Sequence, residues 1–201
     1  MRHTAGIGMF TGVLLTLASL AAAGPPSPVY SSANVDGNSG EWNLATDLFS
    51  LMYRAGKSNK PVESRAYVRY SCATQTLYVL VLMEPGSVGY IDPNAQTAWI
   101  AVNNVNNKVV TENSGDDGVP PDFQWIGRGY DGNPQHMRGY EASFSLAPGS
   151  YTILFHGDVI DASGAQTSAS PGSPQSGPPL TISCLTGAES TTWGALKLIY
   201  R

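Results

Sequence analysis

The side chains that could support chemistry outside the N-terminal 23 residues are two histidines, scattered carboxylates, two cysteines and many aromatic rings. The sequence contains no G-x-S-x-G, H-E-x-x-H, phosphate-binding or dinucleotide-binding motif. His136 lies in a Gly/Pro/Asn-rich loop and His156 ends an apolar run, so a hydrogen-bonded role is favoured for each. The sequence therefore predicts a protein that is not an enzyme. An esterase or glycosidase that uses His156 or loop aspartates is the weaker alternative.

Three aspartates lie close together in one turn-rich stretch, at Asp116, Asp117 and Asp122. Carboxylate oxygens are the ligands that Ca²⁺ prefers, so the group is a candidate calcium site. Neither EF-hand nor nonapeptide spacing is present, and neighbouring side chains on a chain usually point apart. A solvated turn is therefore the favoured interpretation, and no cofactor is required.

Aromatic side chains are the more informative set, with four Trp and ten Tyr. Trp99, Trp125 and Tyr130 fall in or beside turn-rich segments, where exposed rings stack on the apolar faces of sugars while Asp131 and neighbouring amides bind hydroxyls. The alternative is packing of the indoles between two sheets, and this is favoured for Trp42 and for Trp99. The speculative ligand-binding residues are thus Trp99, Trp125, Tyr130 and Asp131.

Residues 1–23 have the three parts of a secretory signal peptide: a basic start, an apolar stretch and a small-residue end at Ala21–Ala23. We expect cleavage before Gly24. A membrane anchor is the alternative, but the apolar run is at the short limit for crossing a bilayer. The prediction is a secreted chain that has no membrane span after cleavage.

Export makes a bond between Cys72 and Cys184 the expected state, because oxidising compartments allow two thiols in one domain to pair. Such a bond would close most of the domain. Two separately buried thiols are the alternative. Neither cysteine lies in a C-x-x-C motif or beside a histidine, so metal binding and catalysis are disfavoured.

The composition excludes several classes of protein. The 201 residues include only 13% charged side chains, with 22 Gly and 14 Pro, and the formal net charge is −4. Collagen, coiled coil and charge-rich disorder do not fit these values. Because basic residues do not cluster, we expect no nucleic-acid partner.

Short β-branched and aromatic runs, separated by Gly/Pro/Asp turns, predict strands along most of the chain. Residues 66–70 and 76–82 form a predicted hairpin, and the nearly continuous second run is typical of a strand covered on both faces. Residues 44–56 are read as a short strand or a helical turn. Further strands are expected at residues 97–105, 108–111, 123–126, 140–146, 151–156, 180–184 and 196–200. Because no amphipathic helix accompanies them, the predicted fold class is all-β, an antiparallel β-sandwich preceded by the cleaved signal helix.

The remaining segments are predicted to be irregular. Residues 24–33 form a proline-rich linker, residues 34–184 the sandwich domain, and residues 162–179 a long Ser/Gly/Pro-rich loop within it. For residues 185–201, which carry Trp193, a final strand and a detachable tail are equally supported.

Several of these segments resemble one family. The motif Val35-Asp36-Gly37 with Glu41-Trp42, the RAYVRYSC and TLYVLVL hairpin, the DFQWIG stretch and Gly139-Tyr140-Glu141 before ASFSLAP are similar to family 9 carbohydrate-binding-like and DOMON-type modules. The resemblance covers roughly residues 34–184 and implies a jelly-roll-like sandwich whose members bind sugars, haem or no known ligand. Sugar-binding members sandwich a saccharide between two tryptophans, which Trp99 and Trp125 match by type alone. Haem ligation would need Met83 or Met137 with His156, and no spacing supports it.

The sequence thus predicts a secreted, non-catalytic binding module of the bacterial surface or extracellular space, with polysaccharide or another cell-surface component as its partner. The alternative is a structural or adhesive protein of the cell envelope or matrix, attached or sorted by residues 191–201. The resemblance bears on the fold rather than on a particular function, because one fold serves many functions.

Overall fold

The structure, a computed structural model, describes residues 27–103, 108–171 and 177–184. One 3₁₀ turn, Ser39–Glu41, precedes the strands. The strands are β1 (Leu48–Arg54), β2 (Val62–Ser71), β3 (Thr76–Met83), β4 (Val88–Tyr90), β5 (Ala98–Val102), β6 (Lys108–Thr111), β7 (Asp122–Ile126), β8 (His136–Met137), β9 (Gly139–Ser145), β10 (Gly149–Asp161), β11 (Gly164–Ala169) and β12 (Pro179–Ile182).

These strands form the predicted all-β, antiparallel sandwich. Nine of them follow one another in the order β6-β5-β10-β11-β1-β2-β3-β9-β7, while β4, β8 and β12 pair beside this path. All the ladders between named strands are antiparallel. The sheet curls until β6 and β7 approach each other without pairing. We call this unpaired junction the seam, and the sandwich is therefore almost a closed barrel.

The main core fills the space between the two layers. The strands of both layers contribute alternate side chains to it, as the two-residue period of a strand requires. Its largest fully buried members are Met52, Tyr70, Leu77, Ile100, Tyr140, Ile153, Phe155 and Leu180.

A second, smaller cluster lies on the outer face of β2, β3 and β7. Trp42 covers Tyr67, Leu80 and Ile126 there. Strand β3 is therefore buried on both faces, which confirms the interpretation of its continuous apolar run. Trp42 is 6% exposed and packs as the sequence predicts.

The N-terminal segment that carries Trp42 is bound to β2 rather than free. Val29 bridges to Arg69, and the Tyr70 main-chain N–H donates to the Val29 carbonyl oxygen at 2.9 Å. Part of the stretch that we expected to be a linker is thus joined to the sheet, because the Val29 carbonyl accepts a hydrogen bond from a main-chain N–H of β2. The Arg69 guanidinium also binds the buried Asp47 carboxylate and lies 5.0 Å from the Trp42 ring.

Glu141 on β9 anchors the same segment from the opposite side of the cluster. Its fully buried carboxylate accepts hydrogen bonds from Trp42 Nε1 at 2.8 Å and from the main-chain N–H groups of Asp36 and Gly37 at 3.2 and 2.9 Å. Gly37 has φ +78°, and a Cβ there would lie 2.8 Å from the carbonyl oxygen of Trp125. Only glycine therefore fits this turn against β7.

Most predicted strands are confirmed, with ends shifted by a few residues. The uncertain stretch 44–56 contains strand β1, and the hairpin strands extend to Val62–Ser71 and Thr76–Met83. The run predicted at 151–156 is much longer, because β10 continues through Gly157 and Asp158 to Asp161. The expected strand at 196–200 and the signal peptide lie outside the described residues.

The prediction of a continuous loop over 162–179 is wrong for its first half. Strand β11 (Gly164–Ala169) lies between β10 and β1 and pairs with both. Its side chains are small or polar, so main-chain pairing rather than an apolar pattern makes it a strand. Ser168 is buried and its hydroxyl lies 2.6 Å from that of Ser64. The short strands β4 and β8 were also not predicted.

Cys72 and Cys184 form the predicted disulfide, which ties the end of β2 to the chain after β12. Within the ranges that the structure describes, no helix is both long enough and apolar enough to cross a membrane.

Removing this bond should weaken the domain without altering its fold. The cysteines are 112 residues apart, and cross-links that close long loops stabilise proteins by about 2–5 kcal/mol through restriction of the unfolded chain. We expect Cys72→Ala/Cys184→Ala to lose that much unfolding free energy in urea titrations. Wild-type protein in excess reductant should match it, and the double variant should not respond to reductant. Equal stability of the oxidised and reduced wild type would contradict this.

Glu141 should make the domain less stable as pH rises through the mildly acidic range. Burial raises the pKa of Glu141 to about 7 in the folded chain, against about 4.3 when unfolded. The folded state holds the extra proton between these values, so the unfolding free energy should fall from pH 4.5 to pH 7, by about 1–3 kcal/mol.

The control is Glu141→Gln, which cannot ionise. Urea titrations from pH 4.5 to 8 should show a flatter profile in this variant than in the wild type. Its stability should also be lower at pH 5, since the amide hydrogens face three N–H donors. Parallel profiles for the two proteins would show that Glu141 does not carry the pH dependence.

Candidate functional site

A polar cleft of about 430 Å³ lies at the seam. Trp125 of β7 forms one wall and the chain that follows β6 forms the other, while the loop between β4 and β5 borders both. We call it the Trp125 cleft. Its side chains with ligand-binding chemistry are Asp92, Asn94, Gln96, Asn113, Trp125 and Arg128.

The Trp125 ring is half-buried and packs against two aromatic rings of the main core. Its edge contacts are perpendicular to Phe123, at 4.8 Å between ring centroids, and to Tyr140, at 6.4 Å. Phe123 and Tyr140 in turn stack on each other at 5.2 Å. Because edge-to-face and offset contacts are the favoured aromatic geometries, the indole is fixed while part of it lines the cleft.

The support for this aromatic group comes from one hydrogen bond across the core. The Tyr140 hydroxyl donates to the main-chain carbonyl of His156 at 2.9 Å and so joins β9 to β10. Burial raises the pKa of Tyr140 far above its ordinary value. The hydroxyl therefore stays protonated and continues to donate at any physiological pH.

Glu112 shapes the opposite wall. Its carboxylate accepts hydrogen bonds from the Thr97 main-chain N–H and hydroxyl and from the Ala98 N–H, at 2.6–3.1 Å. These contacts fix the end of the β4–β5 loop where β5 begins. Since its oxygens are occupied, Glu112 positions the loop rather than offering a group to a ligand.

Other polar groups of the cleft keep binding capacity. Asp92 uses Oδ1 to accept the Asn94 N–H at 2.8 Å, and Arg128 uses Nε to donate to the Pro134 carbonyl at 3.1 Å. The second carboxylate oxygen of Asp92 and the terminal nitrogens of Arg128 make no hydrogen bond among the described residues. Together with the exposed amides of Asn94 and Asn113, they supply donors and acceptors around the indole.

Trp99 lies apart from this cleft. It is half-buried on the face of β5 opposite the core, where it stacks on His156 at 4.5 Å with an interplanar angle of 11°. The Lys108 ammonium lies 5.0 Å from the ring. The structure thus does not place Trp99 and Trp125 as a pair around one ligand. His156 also binds the Asp158 carboxylate through Nε2, at 3.2 Å.

Tyr130 and Asp131 belong to a neighbouring loop. Tyr130 is 41% exposed, lines a separate depression with Met137, and has the Arg138 guanidinium 4.5 Å from its ring. The Asp131 carboxylate accepts from His136 Nδ1 at 2.7 Å, and this hydrogen bond lowers the pKa of Asp131. His136 is therefore the hydrogen-bonded histidine that the sequence predicts, and its partner Asp131 stabilises the loop.

The three clustered aspartates each serve local structure. Asp122 is buried and accepts from the Gly118 N–H and the Ser143 hydroxyl, Asp117 accepts from the Val119 N–H, and Asp116 accepts from the Gln124 amide. In the part of the chain covered by the structure, no three His, Cys, Asp or Glu side chains are grouped to hold a metal ion. The candidate calcium site therefore has no geometric support there.

Several residues of the cleft were not found from the sequence. Asp92, Asn94 and Gln96 come from one loop, whose Asp-Pro-Asn turn was the available signal. Arg128 and Asn113 come from two other loops. No pattern in the sequence shows that a curling sheet brings these three segments to Trp125.

Comparisons with known proteins do not identify the chain: no family model, no curated protein and no solved structure matches it.

The aromatic support can be tested with Tyr140→Phe, which removes one hydroxyl and no ring. The His156 carbonyl would lose its cross-layer donor, so we expect the unfolding free energy to fall by about 1 kcal/mol. The matched control is Tyr130→Phe at an exposed ring, which should change it by less than about 0.5 kcal/mol. Urea titration of both variants measures the difference, and equal losses would contradict the assigned role of Tyr140.

Proposed function

We propose that this chain is an exported, non-catalytic binding module for polysaccharide, and that the Trp125 cleft is its binding site. The observation that carries the proposal is a fixed, half-buried indole surrounded by amide, carboxylate and guanidinium groups in an open cleft.

The chemistry of this arrangement suits a sugar. A pyranose ring has an apolar face of C–H groups, which packs on an aromatic ring, and a rim of hydroxyls that both donate and accept hydrogen bonds. Asp92 accepts, Arg128 donates, and the amides of Asn94 and Asn113 do both. Few precisely placed polar groups around an apolar surface are typical of small-ligand sites.

The same geometry predicts modest affinity. One ring and exposed polar side chains leave much of a bound sugar in water, and each long side chain that becomes ordered costs about 0.5–1.5 kcal/mol. Dissociation constants of roughly 10 µM to 1 mM are therefore expected for short oligosaccharides.

Two features support export and a non-catalytic role. A disulfide between Cys72 and Cys184 is a bond that oxidising compartments allow and the cytosol disfavours. The two carboxylates in the cleft also suit binding better than hydrolysis. A glycosidase needs two carboxyl groups that face each other across the ligand, whereas the Glu112 carboxylate faces the protein main chain and accepts from the N–H groups of Thr97 and Ala98.

Isothermal titration against hexasaccharides of cellulose, xylan, chitin and mannan tests the proposal. Heat of binding is expected with at least one of them, and Trp125→Ala should weaken that binding at least tenfold. Tyr130→Ala, which removes an exposed ring from a different depression, is the matched control and should bind as the wild type does. Absence of heat with every sugar, or equal binding by Trp125→Ala, would contradict the proposal.

A further inference from the structure

A second cleft, of about 410 Å³, lies beside the Trp125 cleft. Its lining includes Ala55, Tyr90, Asp92, Asp158, Gln166 and Thr167. We call it the Tyr90 cleft. Asp92 lines both clefts, so the two are neighbours that meet at one carboxylate.

The sheet explains why they adjoin. Strands β5 and β4 pair with successive parts of β10. Gly89 of β4 pairs with Val159, so Tyr90 lies next to Asp158. The chain leaves β4 at Tyr90, reaches Asp92 two residues later and continues as the loop that borders the Trp125 cleft. One short segment thus supplies a wall to each cleft.

The chemistry of the two clefts is alike. Tyr90 is a half-buried ring, as Trp125 is. The Asp158 carboxylate uses Oδ1 to accept from His156 Nε2 at 3.2 Å and from the Thr167 hydroxyl at 3.4 Å, while Gln166 adds a half-buried amide. Each cleft therefore combines one aromatic ring, two carboxylates and one or more amides.

We propose that the two clefts act as one groove that binds several consecutive sugars of a polysaccharide, with one sugar on Trp125, another on Tyr90, and Asp92 binding hydroxyls between them. The inference rests on the proposed function and deepens it, since it assigns a chain segment rather than a single sugar as the ligand. A monosaccharide occupies one cleft only, whereas a longer chain gains the second contact at high effective concentration.

Affinity should therefore rise with chain length. In titrations of wild-type protein with the di- to hexasaccharides of cellulose and of chitin, whichever series binds should show at least tenfold tighter binding of the hexasaccharide than of the disaccharide. Tyr90→Ala should reduce hexasaccharide affinity towards the disaccharide value and leave disaccharide binding at Trp125 unchanged. Gln166→Ala removes a half-buried amide from the same cleft and should also lower hexasaccharide affinity. It is a second, independent test in case Tyr90→Ala does not fold. Trp125→Ala should weaken every length.

The outcomes separate the two proposals. If the protein binds but affinity does not change with length, and both Tyr90→Ala and Gln166→Ala bind hexasaccharide as the wild type does, the extended groove is wrong and the binding function stands. If neither series binds at any length, and xylan and mannan hexasaccharides also fail, the binding function and the groove are both overturned.

Discussion

The hydrogen bond from the Tyr140 hydroxyl to the His156 carbonyl is the interaction on which the rest of the arrangement depends. It joins β9 to β10 from a fully buried tyrosine side chain, and a buried polar group that loses its partner costs free energy. Tyr140 contacts Trp125, and His156 binds Asp158. A single cross-core bond thus connects the supports of the Trp125 cleft and of the Tyr90 cleft.

The neighbouring residue, Glu141, uses the other face of β9. Alternation along the strand sends Tyr140 into the core and the Glu141 carboxylate outwards, where it is buried by the N-terminal segment. Burying a carboxylate is costly unless donors surround it, and three donors do so here. That segment in turn places Gly37 against the backbone of Trp125. Strand β9 therefore fixes the tryptophan from both sides of the sheet, and the Trp125 cleft is built on a strand as well as on loops.

Sequence patterns predicted the strands that bury apolar side chains on one or both faces. They failed for strands that form through main-chain hydrogen bonds alone. The run from Thr76 to Leu82 was recognised because both its faces are covered. Strand β11 was missed because its side chains carry no apolar period, although its backbone pairs on both edges. Trp125 is a candidate from its residue type and its position beside a turn-rich segment. Its partners were not predicted, because Asp92 and Arg128 meet it only through the curl of the sheet. Trp99 lies apart because its ring is on the face of β5 opposite the core, and Tyr130 because it belongs to the loop after β7.

The seam between unpaired strands leaves an aromatic, polar groove, and we propose that this groove binds a sugar chain. Chemical-shift mapping of backbone amides and indole N–H groups by heteronuclear NMR, during titration with a hexasaccharide, measures where such a ligand sits. The account predicts shifts at Trp125, at Tyr90 to Gln96 and at Gln166, with the signals of Tyr130, Asp116 and Trp42 unmoved. Shifts confined to the Tyr130 depression or to the aspartate loop would contradict it.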